Sequence, residues 1–220
     1  MQQPVQHIVR SNSFWLSALR CVFWEEEKTL ILSDLHFGKT GHFRKSGIAV
    51  PQKIYKEDLQ RLVSAIQHFN PSQLVIVGDL FHSHENKELD WFKRWRADLS
   101  FVNIQLVKGN HDILHHQWYQ EAGMIVHDEE LIIKDFSFCH DLNSRLLTPN
   151  SQLFSFSGHI HPGISIHGLA KQSLHFPCFY FTNDQCVLPA FSRFTGTHKI
   201  EPKKGDAVFA IVKDRVLKIE

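Results

Sequence analysis

The chain has 220 residues, with 24 Lys and Arg against 23 Asp and Glu, a formal charge of +1 and an apolar fraction of 43%. That much apolar surface offsets chain entropy and excludes global disorder, and the length suits one domain, since a domain holds roughly 100–200 residues. The even charge balance excludes a basic face spread over the whole molecule, so any contact with a polyanion has to be local.

The first ten residues, MQQPVQHIVR, lack the charged start and apolar run of a signal peptide. No stretch approaches the roughly 18 apolar residues needed to span a bilayer, so a cytoplasmic location without membrane contact is expected. Cys21, Cys139, Cys178 and Cys186 show no C-x-x-C spacing and read as reduced, buried thiols. Without a repeat, linker or low-complexity stretch, residues 1–220 read as a single domain.

Short apolar runs at 29–33 (TLILS), 73–77 (QLVIV) and 102–107 (VNIQLV) predict buried strands. Between the first two, Pro51 suits a first helical turn, and Ile54, Leu59, Leu62, Ile66 and Phe69 repeat at helical spacing until Asn70-Pro71 stops them. A second helix over about 85–99 carries Leu89, Phe92, Trp95 and Leu99 on one face. On that spacing Phe92, Trp91 and Trp95 read as core rather than as a platform for stacked bases. Alternating strand and helix predicts a parallel sheet with right-handed crossovers. Past about residue 124 only strands follow, at 131–133, 136–139, 153–157, 178–181, 186–188 and 208–212. Two packed sheets with helices outside would bury both halves.

Ligands of such sheets bind beyond the carboxyl ends of the strands. The runs there end in Ser33-Asp34-Leu35-His36, Gly78-Asp79, Gly109-Asn110-His111-Asp112, Cys139-His140-Asp141 and Gly158-His159-Ile160-His161. Carboxylate, amide and imidazole are metal-ligating groups. In Asp34-x-His36 alternate residues point the same way, and His159 and His161 share that period unless a turn sends them to adjacent ions. Two carboxylate oxygens make Asp79 a natural ligand shared between cations, and Asn110 offers a neutral carbonyl. Gly78, Gly109 and Gly158 permit close backbone approach. His127 or His167 could stand in for His140. Of the other histidines among the 16, His115 and His116 begin a helix as surface or capping residues.

The ordered motifs D-x-H, G-D, G-N-H-D, a lone H and G-H-x-H, spanning 34–161, resemble those of the calcineurin-like metallophosphoesterases. The resemblance implies an α/β fold, a four-layer α/β/β/α sandwich of two mixed sheets flanked by helices. It also implies two divalent ions, one held by Asp34, His36, Asp79 and His161, the other by Asp79, Asn110, His140 and His159, with His111 uncoordinated as the catalytic imidazole. Mn²⁺ is the metal the resemblance suggests, and a donor set without thiolate also suits Zn²⁺ or Fe²⁺. The strings 34–51 (DLHFGKTGHFRKSGIAVP), 78–83 (GDLFHS) and 188–196 (LPAFSRFTG) resemble the bacterial phosphoesterases associated with DNA ligase, described as DNA-damage-response endonucleases. They have no metal-coordinating rationale of their own.

The expected chemistry is two-metal activation of water for in-line attack on a phosphodiester, with DNA or a nucleotide as substrate class and a role in DNA repair in functional association with a DNA ligase. Lys39, His42, Arg44 and Lys45 follow the first motif, and Arg44 and His82 are the candidate substrate-binding residues. His82 stands where phosphoprotein phosphatases carry an Asp that orients the catalytic His, leaving Asp112 or a backbone group to substitute. The competing readings are a phosphomonoesterase acting on nucleotides or small molecules, and a non-catalytic scaffold of the same fold.

Overall fold

The computed structural model describes residues 3–37, 53–81, 87–142, 152–167, 173–193 and 195–219. In chain order the described elements are β1 (Val5–Val9), β2 (Asn12–Ser17), β3 (Cys21–Trp24), β4 (Thr29–Leu32), α1 (Lys53–Phe69), β5 (Gln73–Val77), α2 (Lys87–Asp98), β6 (Asn103–Val107), α3 (His116–Glu121), β7 (Met124–His127), β8 (Leu131–Ile133) and β9 (Phe136–Phe138). There follow β10 (Phe154–Ser157), β11 (Pro162–His167), β12 (Ser173–Phe181), β13 (Gln185–Val187), β14 (His198–Lys199), β15 (Ala207–Val212) and β16 (Arg215–Ile219). None of the described helices is long and apolar enough to cross a membrane.

The first sheet runs β1 to β7 in chain order. Its first four strands are antiparallel neighbours, and β4, β5, β6 and β7 are parallel. Because each right-handed crossover advances in the same direction, the described helices fall on one face. There Leu62 and Ile66 of α1, Leu89 and Phe92 of α2 and Tyr119 of α3 pack on Leu30, Leu32, Leu74, Ile76, Ile104 and Leu106. The alternate residues Ile31, Val75, Val77 and Val107 point the other way, onto the second sheet.

The second sheet has the order β14-β11-β12-β13-β10-β9-β8, with β15 on β12 and β16 on β15. It is mixed: β9, β10 and β13 are parallel, whereas β12 is antiparallel to β11, β13 and β15. Phe136, Phe138, Phe154, Phe156, Phe179, Phe181 and Phe209 meet Phe14, Leu16, Val22 and Trp24 of the first sheet. This is the expected pair of mixed sheets with helices outside. Among the described residues the far face of the second sheet carries a smaller cluster of Cys178, Val208 and Ile200.

The predicted strands and helices all form, most with ends shifted by a residue or two, although β12 begins at Ser173, well before the expected start at 178. The turn at Pro51 lies outside the described residues, as does the side chain of Trp91. Phe92 is buried and Trp95 packs partly buried on the core, so both belong to packing. The meander β1–β3 and strands β7, β11, β14 and β16 are additions to the sequence reading. In β2 and β3 the available signal was the short apolar runs Phe14-Trp15-Leu16 and Cys21-Val22-Phe23-Trp24, of which Phe14, Leu16, Val22 and Trp24 are fully buried. All four cysteines are free and buried.

Candidate metal centre

Parallel strands end at one edge, and β4, β5 and β6 therefore deliver their following residues together. The segment after β4 continues to pair with the one after β5: N–H groups of Asp34, His36 and Phe37 donate to the carbonyls of Gly78, Asp79 and Leu80 at 3.1, 2.9 and 2.8 Å. From the second sheet, β9 and β10 lead into His140 and His159–161, tied by a bond from the Gly158 N–H to the His140 carbonyl at 3.1 Å.

The backbone at this edge is bent sharply. Asp34, His36, Asp79, His159 and His161 all adopt the left-handed region, with φ of 55°, 49°, 51°, 66° and 52°. Asp and His enter this region more readily than most residues, although each visit carries strain. Glycines make room. A Cβ on Gly78, itself at φ +78°, would stand 2.1 Å from Nδ1 of His140, and a Cβ on Gly109 would stand 2.2 Å from Oδ1 of Asp79.

Asp79 is the hub. Its Oδ2 lies 3.4 Å from Nε2 of His140, 3.8 Å from Nε2 of His36 and 3.9 Å from Nε2 of His111. Its Oδ1 accepts the His111 backbone N–H at 2.9 Å. Asp34, with no exposed surface, has Oδ1 3.0 Å from Nε2 of His161 and 4.0 Å from Nε2 of His36, and its Oδ2 accepts the His159 N–H at 3.3 Å. Two sets of ligand atoms lie mutually within 4.8 Å: Asp34, His36 and His161, and Asp34, Asp79 and His140. Five of the seven expected ligands are thus gathered. His159 is exposed, its ring centroid 5.2 Å from that of His140, and Asn110 is exposed on the loop beside His111. Arg44 and His82 lie outside the described residues.

Burial alone would raise the Asp79 carboxyl, but the His140 imidazole, the His111 N–H and His36 carry it well below the usual carboxylate range. Burial would likewise lower His140, but Asp79, Asp34 and the Val77 carbonyl, 3.0 Å from Nδ1, raise it to about 9. The Val77 contact leaves Nε2 facing the carboxylates. His127, the alternative for this role, is bound elsewhere, 2.8 Å from the side-chain oxygen of Gln105, and the side chain of His167 lies outside the described residues.

Asp34 Oδ1, His140 Nε2 and His161 Nε2 are buried and make no hydrogen bond among the described residues. Buried polar atoms crowded together without well-formed hydrogen bonds are unfavourable. Divalent cations at the two clusters, one beside His161 and the other beside His140, would satisfy these atoms, and carboxylate with imidazole is a donor set such ions accept. The residues therefore fit the metals that the strand-end motifs imply.

Asp112 bonds to the backbone of the neighbouring loops. It is buried, and its carboxylate accepts backbone N–H groups from Gly109, Phe81 and Leu80 at 2.9, 3.0 and 3.3 Å. It pins the loop after β6 to the loop after β5 through the backbone. Burial, with Asp79 nearby, raises its pKa to about 6 against the pull of those bonds. His115 occupies the N-terminal cap of α3 without a side-chain capping bond, and His116 is exposed, 3.1 Å from Asp128.

A sequence profile described as calcineurin-like phosphoesterase matches residues 27–174. Among solved structures, nuclease MPE of Pseudomonas putida is similar at 25% identity, covering 99% of each chain with a TM-score of 0.80. No curated protein matches the chain.

Proposed function

Since this chain belongs to the calcineurin-like phosphoesterase family and is a hydrolase of phosphoric esters, we propose that it cleaves phosphodiesters, with DNA as the substrate class, using two divalent cations. One cation is assigned to Asp34, His36, Asp79 and His161, the other to Asp79, Asn110, His140 and His159. The observation that carries the reading is Asp79, whose Oδ2 faces the Nε2 atoms of His36, His140 and His111 within 4 Å. A donor set without thiolate suits Mn²⁺, Fe²⁺ or Zn²⁺, and Mn²⁺ is the assignment the family resemblance favours.

When bound, the cations supply charge at the phosphoryl oxygens and lower the pKa of a water to about 7. The protein's own contribution is orientation and a proton. The His111 side chain, 47% exposed, stands at the open side of Asp79 while its N–H is anchored to Oδ1. That anchoring fixes the imidazole where it can donate to the departing alkoxide, the role we assign to it. Asp112 holds the His111 loop against the Asp79 loop and so keeps proton donor and hub together.

The similarity to a nuclease, together with the strings at 34–51, 78–83 and 188–196, supports a DNA endonuclease of the ligase-associated group, acting in the cytoplasm in DNA repair. Arg44 and His82 are the residues proposed to hold the non-reacting part of the substrate.

Activity with Mn²⁺ on bis(p-nitrophenyl) phosphate, p-nitrophenyl phosphate, and single- and double-stranded DNA tests the proposal, with Asp79→Ala as the control for contaminating nuclease and His111→Ala as the test of the proton donor. Cleavage of the diester and of DNA well above the monoester is expected. Preference for the monoester would establish a phosphomonoesterase, and activity unchanged in His111→Ala would remove the assigned proton donor.

A further inference from the structure

The string at 188–196 contributes none of the assigned ligands, yet its middle touches the strand end that carries Asp34. Ala190 forms a parallel bridge with Ser33. The N–H of Phe191 donates to the Ser33 carbonyl at 2.9 Å, and that of Ser192 to the Asp34 carbonyl at 3.1 Å. On its other side the same segment meets two arginines. Nη1 of Arg20, in the turn between β2 and β3, donates to the carbonyls of Ala190 and Ser192 at 3.0 and 2.9 Å. Nη2 of Arg61, on α1, donates to the Phe191 carbonyl and to Oδ1 of Asp58 at 2.8 Å. The Arg61 guanidinium also lies 4.5 Å from the centre of the buried Phe191 ring.

We infer that Arg20 and Arg61 are positioning residues for Asp34: they clamp the carbonyls of 190–192, whose amides hold the backbone of 33–34 in the bent form the metal centre requires. This rests on the reading of Asp34 as a ligand. The need for a clamp follows from the conformation. Asp34 has φ 55°, and in this conformation its carboxylate faces His161 and the His159 N–H. A residue left in that region relaxes unless the surroundings over-determine it.

The clamp is costly if its only purpose is packing. Arg61 is 7% exposed and Asp58 3%, and buried ion pairs are often no more stabilising than apolar residues of the same volume. Burial, followed by the charges of Arg61 and Arg193, brings the Arg20 pKa down to about 10, so these guanidiniums repel one another around Asp58. What arginine supplies and an apolar residue cannot is several fixed donors for adjacent carbonyls.

The test is Mn²⁺ affinity, measured by calorimetry on folded Arg20→Met and Arg61→Met proteins beside Val216→Ala, a destabilising change in the far sheet. The arginine variants should bind Mn²⁺ about 10–100-fold more weakly, as expected when a ligand's support is removed, with Val216→Ala at the unsubstituted affinity. Arg20→Lys, which keeps one donating group, should fall between. Unsubstituted affinity in both arginine variants overturns the inference. If Arg61→Met does not fold, hydrogen exchange of the unsubstituted chain decides, because coupling is reciprocal: saturating Mn²⁺ should slow the Phe191 and Ser192 amides by about tenfold, and unchanged exchange overturns the clamp. Failure of the unsubstituted protein to bind Mn²⁺ would instead overturn the metal reading, and the clamp with it.

Discussion

Gly78 and the imidazole of His140 adjoin so closely that one further carbon on the glycine would stand 2.1 Å from Nδ1. Gly78→Ala must therefore displace the ring, and at φ +78° it also meets a backbone penalty of about 1–2 kcal/mol. Denaturation of the metal-free variant should report at least that loss, and calorimetry should report Mn²⁺ bound about 10–100-fold more weakly. Unaltered metal affinity would show that His140 is not a ligand.

Asp79→Ala removes the carboxylate that, alone among the described residues, faces His36, His140 and His111 together. Elemental analysis of the purified variant should find the metal content reduced to background at both sites. Retention of the full complement would contradict the shared assignment.

His111→Ala should lower turnover by about 10²–10⁴-fold, the span of general acid catalysis, with metal content unchanged. Loss of metal and activity together would make His111 a ligand instead of a proton donor.

Asp112→Ala leaves the N–H groups of Leu80, Phe81 and Gly109 without their acceptor. Each unsatisfied buried group costs about 1–3 kcal/mol, so urea denaturation in chelator should show a loss of about 3 kcal/mol or more. Asp112→Asn keeps one acceptor oxygen and should lose less. A near-neutral Asp112→Ala would mean that water replaces the carboxylate.

Burial pushes the thiols of Cys21 and Cys178 up to about 12, and that of Cys186 well above its ordinary value. The thiolate is the reactive form. Iodoacetamide at neutral pH should leave these thiols unmodified in the native protein and alkylate them in denaturant. Rapid native labelling at Cys21 or Cys178 would show that the core there opens.

The central strands were legible because β4 and β5 are buried on both faces and read as nearly unbroken apolar runs, as in TLIL and QLVIV, and because β6, NIQLV, keeps its apolar residues buried despite Asn103 and Gln105. Their following residues could then be read as a group. The first strand, with VQHIV half-buried at the sheet edge, carries a weaker contrast, and β14 is only His198–Lys199, too short to have a period. At the centre, ligand-type residues announced themselves by type and position. Asp112 was legible as a residue but not as a task, because its bonds are to backbone groups of a loop some thirty residues away. Arg20 and Arg61 carried no local signal: their partners at 190–192 are distant in sequence, and only the folded chain brings the three segments together.

The left-handed torsions at Asp34, His36, Asp79, His159 and His161 have an evolutionary consequence. Each works against folding by about 1–2 kcal/mol before any compensation. Selection for endurance to heat alone, with no demand for turnover, would relax these corners first, and Gly or Asn at 36, 159 or 161 would ease the torsion without disturbing either hydrophobic cluster. A heat-hardened descendant that still keeps all of them is one whose chemistry remains under selection.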